Sequence, residues 1–343
     1  MWMSVQSMTD DVLENIKRKN ISVDAMMSVQ ETMRTATQGT QSEVIMCLPG
    51  ETFESHIESI SKLMNSGMDK IVTYQLMLLD GTEMKLDENI NQHEFVKKYR
   101  VLPRSFSDLD FVGKSIEIEE IVVATNTFSF EEYLKARVLH LIISTVYNGG
   151  SLSGFFKLAR EHNISLKEFL FKLHDNFESH PSLSKLHKEF VKETREELFD
   201  SYEEATSFYL NPKNFNLLIN GEGGKNLLQI YACSAYLSHA SDLVDLLENT
   251  LKEISMGVVH DQMIKDISQF YKLGFKNYLD INRLNLSDNE FLKFEKISSV
   301  YDLIEVDGIS VSDIHAIRPL VKININNERI FVKDNQIYNT IIN

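Results

Sequence analysis

The residues with the clearest chemical potential lie in one stretch, Glu43-Val-Ile-Met-Cys-Leu-Pro-Gly-Glu-Thr52. An apolar run meets Pro49-Gly50 and then an acidic helix start, so the stretch reads as a buried strand, a tight turn and a helix. In parallel α/β architecture such a turn lies at the carboxyl end of the sheet, where ligands bind. On spacing alone it reads equally as an ordinary loop. The two cysteines, Cys47 and Cys233, are too few and too far apart for a disulfide scaffold or a structural zinc site, which fits a reducing compartment. Gly221-Glu-Gly-Gly-Lys225 lacks the spacing of a phosphate loop and reads as a plain loop before a helix. His174 and His180 have no carboxylate or cysteine at ligand spacing and read as surface histidines, while His56, on the helix after the turn, reads as solvent-facing. The run from Glu189 to Glu204 reads as a solvated helix face.

These residues need elements to hold them. A chain of 343 residues is long enough for roughly two domains at about 150 residues each, and 43% apolar with 25% charged content describes a folded chain rather than a disordered one. A net charge of −15 argues against a broad nucleic-acid or anionic-membrane surface and leaves a small molecule as the expected main ligand. With no apolar run of transmembrane length and no signal-peptide pattern, the chain reads as cytoplasmic.

Periodicity predicts a strand over 2–6, a helix from Thr9 through Lys19 and a second helix over about 23–36. A strand over 43–48, a helix over 51–66 ended by Gly67, and a strand over 71–79 follow. Strands separated by helices call for a parallel sheet. Beyond it the pattern predicts a helix over 91–99, a loop over 101–114 and an extended segment over 116–124. A long helix from Phe130 stops at Asn148-Gly149-Gly150, and further helices are predicted over 152–162, 165–178, 182–209, 224–255 and 259–276, with Asn211-Pro212 in a loop. The last 50 residues read as β-rich, with a hairpin turn at Asn326-Asn327.

Five segments then follow in a telling order: Ser4-Val-Gln-Ser7, Asp11-Val-Leu13 with Ile16-Lys-Arg-Lys-Asn20, Leu48-Pro-Gly-Glu-Thr52, Thr73-Tyr-Gln-Leu76, and Asp80-Gly-Thr82. The series resembles the second half of the radical S-adenosylmethionine (SAM) core, namely its fourth strand with the LxxIxR helix, its fifth strand ending in GxPGET, and its sixth ending near GT. The resemblance implies that Gln6, with Ser4 beside it, contacts the SAM ribose and that Arg18, twelve positions after Gln6, pairs with the methionine carboxylate. It places Leu48, Pro49, Gly50 and Glu51 near the methionyl and adenine groups, and Met77 and Leu78 at the adenine. The chemistry suits the residue types: an amide hydrogen-bonds a hydroxyl, and a guanidinium forks onto a carboxylate. The resemblance is strong over 1–85 and continues more weakly through Tyr99-Arg-Val-Leu-Pro-Arg-Ser105 to Asn126, as in the extension of cobalamin-associated radical SAM proteins. The helical part is not diagnostic.

Two departures and one chance resemblance stand out. Cys47 occupies a position where the family has glycine, which would alter close backbone approach to the ligand. The family's [4Fe-4S] cluster needs three thiolates in a CxxxCxxC loop, and this chain has two cysteines in all. Asp313-Ile-His315 begins like a cobalamin-ligating DxHxxG motif, but Arg318 replaces the glycine and the remaining residues leave no room for a cobalamin domain. The fold class expected is therefore α/β followed by α+β: a partial, half radical SAM βα barrel over 1–86, a connecting extension over 87–127, a mainly helical domain over 128–290 and a short β-rich segment over 291–343. The abrupt strand at Met1-Trp2-Met3 suggests a truncated, carboxyl-terminal portion of an enzyme, inactive alone, with its cluster and any cobalamin belonging to the parent. Its partners would be SAM, an unknown substrate and the missing amino-terminal half, with no nucleic acid and no membrane. A cluster-free relative competes with the fragment, and a non-catalytic binding or scaffold protein is the alternative class.

Overall fold

The computed structural model describes residues 2–22, 25–28, 32, 39–109, 111, 113–148 and 152–279, the side chains of 2, 237 and 275–279 excepted. Three parallel strands, β1 (Trp2–Gln6), β2 (Gln41–Met46) and β3 (Lys70–Gln75), lie side by side in that order. The central strand β2 buries alternate residues, Ser42, Val44 and Met46, as the period of two requires. Helix α1 (Asp10–Asn15) follows β1 and helix α2 (Phe53–Asn65) links β2 to β3. The start of α2 is fixed by a reciprocal capping box: Thr52 Oγ1 accepts from the Ser55 N–H at 3.1 Å, and Ser55 Oγ accepts from the Thr52 N–H at 2.9 Å. Its inner face buries Ile57, Ile60, Leu63 and Met64 against Met3, Val5, Val44 and Ile71 of the sheet.

α1 is shorter than the periodicity predicts. The Lys17 N–H bonds the Glu14 carbonyl and the Arg18 N–H bonds the Leu13 carbonyl, with Lys17 at φ 55°, so a Schellman stop forms on a lysine rather than on a glycine. The predicted helix over 23–36 lies largely outside the described residues.

The segments expected as helix over 91–99 and loop over 101–114 form a long antiparallel hairpin instead. After α3 (Asp87–Gln92), β4 (Val96–Leu109) pairs with β5 (Gly113–Ala124). A register irregularity between Val101 and Phe106, with Arg104 at φ 64°, absorbs the turn-like residues around Pro103. The hairpin joins the sheet because the chain continues beyond β3: the Val122 N–H bonds the Leu76 carbonyl at 2.9 Å, and the Leu78 N–H bonds the Glu120 carbonyl at 2.9 Å.

The helical half begins with α4 (Phe130–Ile142), capped by a Ser129/Glu132 box and widened into a π-helical turn over Ile143–Tyr147. That turn delivers Asn148 to the free edge of β3, where its side-chain amide accepts from the Ile71 N–H and donates to the Ile71 carbonyl, each at 2.8 Å. Helices α5 (Ser153–Glu161), α6 (Leu166–Ser179) and α7 (Leu183–Glu196) follow. The long helix predicted over 182–209 breaks between α7 and α8 (Tyr202–Leu210), because Phe199 leaves helical geometry to exchange backbone hydrogen bonds with Tyr99 of β4. Asn211-Pro212, expected in a loop, starts α9 (Pro212–Ile219), with Asn211 as N-cap and proline at the first helical position. Helices α10 (Leu227–Ser255) and α11 (Asp261–Leu279) complete the described chain. One apolar core runs from Val44 and Ile57 through Leu139, Phe156 and Phe169 to Leu243 and Leu247. The mixed α/β order with a mainly helical second half thus agrees with the sequence-based expectation in outline. The β-rich segment over 291–343, with Asp313 and His315, lies outside the described residues. Among the described residues no helix is long and apolar enough to cross a membrane.

Candidate functional site

β1 ends irregularly. Its pairing with β2 shifts between Ser4 and Gln6, and Gln6 adopts φ 64°, so the half-buried amide leaves the regular ladder at the carboxyl end of the strand. Ser4 is exposed and its hydroxyl donates to Glu43 Oε1 at 2.5 Å. Just beyond, Ser59 of α2 holds the strand end: its Oγ accepts from the Met8 N–H at 3.0 Å. Asn20 Nδ2 donates to the Ser7 carbonyl at 2.6 Å, folding the segment after α1 back over this end. Arg18 therefore sits on the carboxyl side of β1, exposed, in a cavity of about 790 Å³ also lined by Lys17, Lys19 and Lys62. Glu83 occupies Lys17 at 2.7 Å and Glu58 occupies Lys62 at 3.0 Å, whereas no described carboxylate pairs with Arg18. Gln6, the Leu48–Glu51 turn and Met77-Leu78 do not line this cavity.

The turn after β2 is rigid for local reasons. Cys47 adopts φ 64° and Gly50 φ 79°. At Gly50 an added Cβ would lie 2.6 Å from Asn15 Nδ2, which donates to the Pro49 carbonyl at 3.0 Å. The left-handed geometry at Cys47 is one that glycine adopts more readily than a residue with a side chain. Its side chain is fully buried beside Val12, Met46 and Leu48 rather than in the cavity, and burial, with the Glu51 and Glu132 carboxylates adding to it, pushes the thiol up. Leu48 and Pro49 are buried, Gly50 half-buried.

Glu51 turns inward. Its carboxylate is 1% exposed, with Oε1 3.0 Å from His56 Nδ1, and its backbone carbonyl accepts from Thr127 Oγ1 at 2.6 Å. His56, expected at the surface, is completely buried because α2 directs it at α4, where its Nε2 lies 2.8 Å from His140 Nε2. Burial first, then His56 and Arg137, hold His140 well below the ordinary histidine range. His140 Nδ1 has no hydrogen-bond partner among the described residues. His174, also expected at the surface, is buried on α6 against Phe53, while His180 is half-buried at the end of that helix.

Met77 and Leu78 bracket the junction with the hairpin: Met77 is 37% exposed and Leu78 is buried. Beside them lies a polar cluster that spacing did not reveal. Arg100 of β4 donates to Glu197 at 2.7 Å and to Gln75 Oε1 at 3.0 Å and pairs with Glu119, while Gln75 Nε2 donates to Tyr133 Oη at 3.2 Å. Burial opposes the Arg100 charge, but Glu197, Tyr133 and Glu119 outweigh it and hold the guanidinium firmly protonated. Arg137 is 4% exposed, its Nε has no partner among the described residues, and burial lowers its proton affinity. Long sequence separations hide both groupings; the only available signal was the charge in the apolar stripe of α4. Among the described residues no group of three metal-ligating side chains converges.

No family model matches the chain. Over 185 residues it is 29% identical to a protein named cobalamin-dependent radical SAM methyltransferase TokK from Streptomyces tokunonensis. It is 26% identical over the same length to a 2-(S-pantetheinyl)-carbapenam-3-carboxylate methyltransferase from Streptantibioticus cattleyicolor. Each match covers 52% of this chain and 26% of the relative, so the matched stretch spans about a quarter of the length of these curated relatives. The distant likeness supports a link to the radical SAM superfamily.

Proposed function

We propose that this chain is the carboxyl-terminal portion of a radical SAM enzyme, supplying part of the SAM pocket and the substrate side, with methyl transfer as the reaction class. The observation that supports the reading is that Gln6 and the Leu48–Glu51 turn follow the carboxyl ends of neighbouring parallel strands β1 and β2, with Arg18 beyond α1 in a cavity they do not themselves line, in a chain similar to two methyltransferases. Gln6 and Ser4 would meet the ribose, Arg18 the methionine carboxylate, the backbone of Leu48, Pro49, Gly50 and Glu51 the methionyl and adenine groups, and Met77 with Leu78 the adenine. Because the Glu51 carboxylate is spent on His56, that residue would offer the ligand backbone rather than charge.

The cluster does not fit this chain. Its two cysteines cannot provide three thiolates, and Cys47 is sealed in the core with its thiol pushed up. A separate segment carrying the three cysteines would pair with the outer edge of β1, which no described strand covers. Cobalamin, where the complete enzyme uses it, would likewise be held elsewhere.

Two measurements test the reading. Anaerobic reconstitution of this chain with iron and sulfide is expected to give no visible iron–sulfur band; a stable band would overturn the assignment of the cluster to another segment. Calorimetric titration with SAM is expected to show binding that weakens on Arg18→Ala. A monodisperse chain indifferent to SAM, alone or with a cysteine-bearing partner segment, would favour a non-catalytic scaffold.

A further inference from the structure

Three buried groups form a chain between the turn and the helical half. Glu51 is 1% exposed, His56 0% and His140 1%. Glu51 Oε1 lies 3.0 Å from His56 Nδ1, and His56 Nε2 lies 2.8 Å from His140 Nε2. Hydrogen-bond chemistry fixes the protons. A carboxylate accepts, so His56 Nδ1 carries hydrogen. Two ring nitrogens at 2.8 Å share one proton between them, so a neutral His56 accepts at Nε2 from the Nε2–H of His140. The far nitrogen, His140 Nδ1, is then a bare acceptor, consistent with its having no partner among the described residues.

We propose that Glu51, His56 and His140 form a proton relay from the helical half to the Leu48–Glu51 turn, with His56 as the residue that positions the Glu51 carboxylate. A proton taken from solvent hydronium, which leaves as water, forms an N–H bond at His140 Nδ1. The bridging proton leaves His140 Nε2 for His56 Nε2, and the positive charge comes to rest on His56 beside Glu51. His140 ends neutral in the opposite tautomer, so protons and charge balance. The step needs no rotation of either ring, because both N···N and N···O contacts are already made.

The surroundings favour this direction of transfer. Arg137, one turn earlier on α4, places positive charge near His140 and disfavours an imidazolium there. The Glu51 carboxylate sits against His56 instead. Ionisable groups on the neighbouring elements include Cys47 at the end of β2, which feels Glu51 and Glu132, Tyr133 on α4, which with Arg100, Glu197 and Glu119 acts on Arg137, and His174 on α6, which packs on Phe53 of α2. Apart from Glu51, none of them hydrogen-bonds either ring. The relay rests on this geometry; only its relevance to SAM rests on the reading above.

Histidine side-chain NMR on the full chain, labelled with nitrogen-15 and free of ligand, tests it. At neutral pH the expected pattern is the Nδ1–H tautomer for His56 and the Nε2–H tautomer for His140. On acidification, before unfolding seen by circular dichroism, His140 is expected to change from the Nε2–H to the Nδ1–H tautomer. In His56→Gln the amide can still hold the bridge but cannot take the proton, so the His140 tautomer change is expected to disappear. Either of two results overturns the relay: a His140 tautomer that stays fixed down to the pH at which the chain unfolds, or a His140 response in His56→Gln identical to wild type. The wild-type spectrum decides even where the variant fails to fold. SAM titration, run separately, reports on the ligand reading, and its failure leaves the relay result intact.

Discussion

The two sides of the small sheet solve opposite problems. At the β1 rim, charged side chains stand in solvent: the Lys17–Glu83 pair is 74% and 62% exposed, and Arg18 and Lys19 face an open cavity. At the junction with the helical half, Glu51, His56, His140 and Arg137 are all at least nine-tenths buried, and Arg100 with Glu119 is nearly so. Exposed charge contributes little to stability and remains available to a ligand. Buried charge costs desolvation and is tolerated only when neighbours satisfy it, so it locks geometry. The rim therefore presents charge that a ligand can reach, and the junction has the character of a clamp holding the Leu48–Glu51 turn in place.

The largest effect that sharpens this contrast belongs to Arg100. Arg100→Met removes the partner shared by Glu119, Glu197 and Gln75, stranding carboxylates that are mostly shielded from water. Urea unfolding is expected to show a loss of about 3–5 kcal/mol. A loss below about 1 kcal/mol would show that the junction is solvated like the rim, since exposed pairs contribute at that level.

Acidification should also separate the two regions. Burial lowers the proton affinity of His140, His174 and His187, so each binds its proton more tightly when the chain is unfolded. The unfolded state then gains more protons as pH falls, and stability, fully present above about pH 6.5, declines below it. Each group steepens that decline by at most about 1.4 kcal/mol per pH unit. Thermal unfolding across pH 7.5 to 5 checks this, and His140→Gln should flatten the profile while Arg18→Ala leaves it unchanged.

Gly50→Ala probes the point where rim and junction meet. Alanine would be forced to positive φ and its Cβ would displace the Asn15 side chain from the Pro49 carbonyl. The expected cost is about 1–3 kcal/mol in denaturant unfolding.

What the sequence revealed follows the same division. Local patterns marked β1, β2, the turn and α2, because alternation, Pro49-Gly50 and the helix period are written within a few residues. The hairpin was hidden because Pro103 and charged neighbours imitate a loop, and pairing across 96–124 is a property of two distant segments. The His56–His140 contact spans 84 positions, and no spacing rule distinguishes a helix histidine aimed at solvent from one aimed at another helix. Rim residues could be proposed from residue type and order, whereas the clamp needed coordinates.

The smallest stability effect carries the most direct functional test. Arg18 is exposed, has no described carboxylate partner, and is placed by backbone hydrogen bonds of Lys17 and its own N–H rather than by its side chain. Arg18→Ala should therefore change unfolding stability by less than about 0.5 kcal/mol. Its effect on an anionic ligand should be far larger, because a charge-assisted pair with a carboxylate is worth about 1.5–3 kcal/mol, or about 10- to 100-fold in affinity. Calorimetry with SAM, compared with a decarboxylated analogue, isolates that interaction: the wild-type preference for the carboxylate should vanish in Arg18→Ala. Equal losses for both ligands would mean that Arg18 shapes the rim without meeting the carboxylate, and the division between binding rim and structural clamp would have to be redrawn at the turn itself.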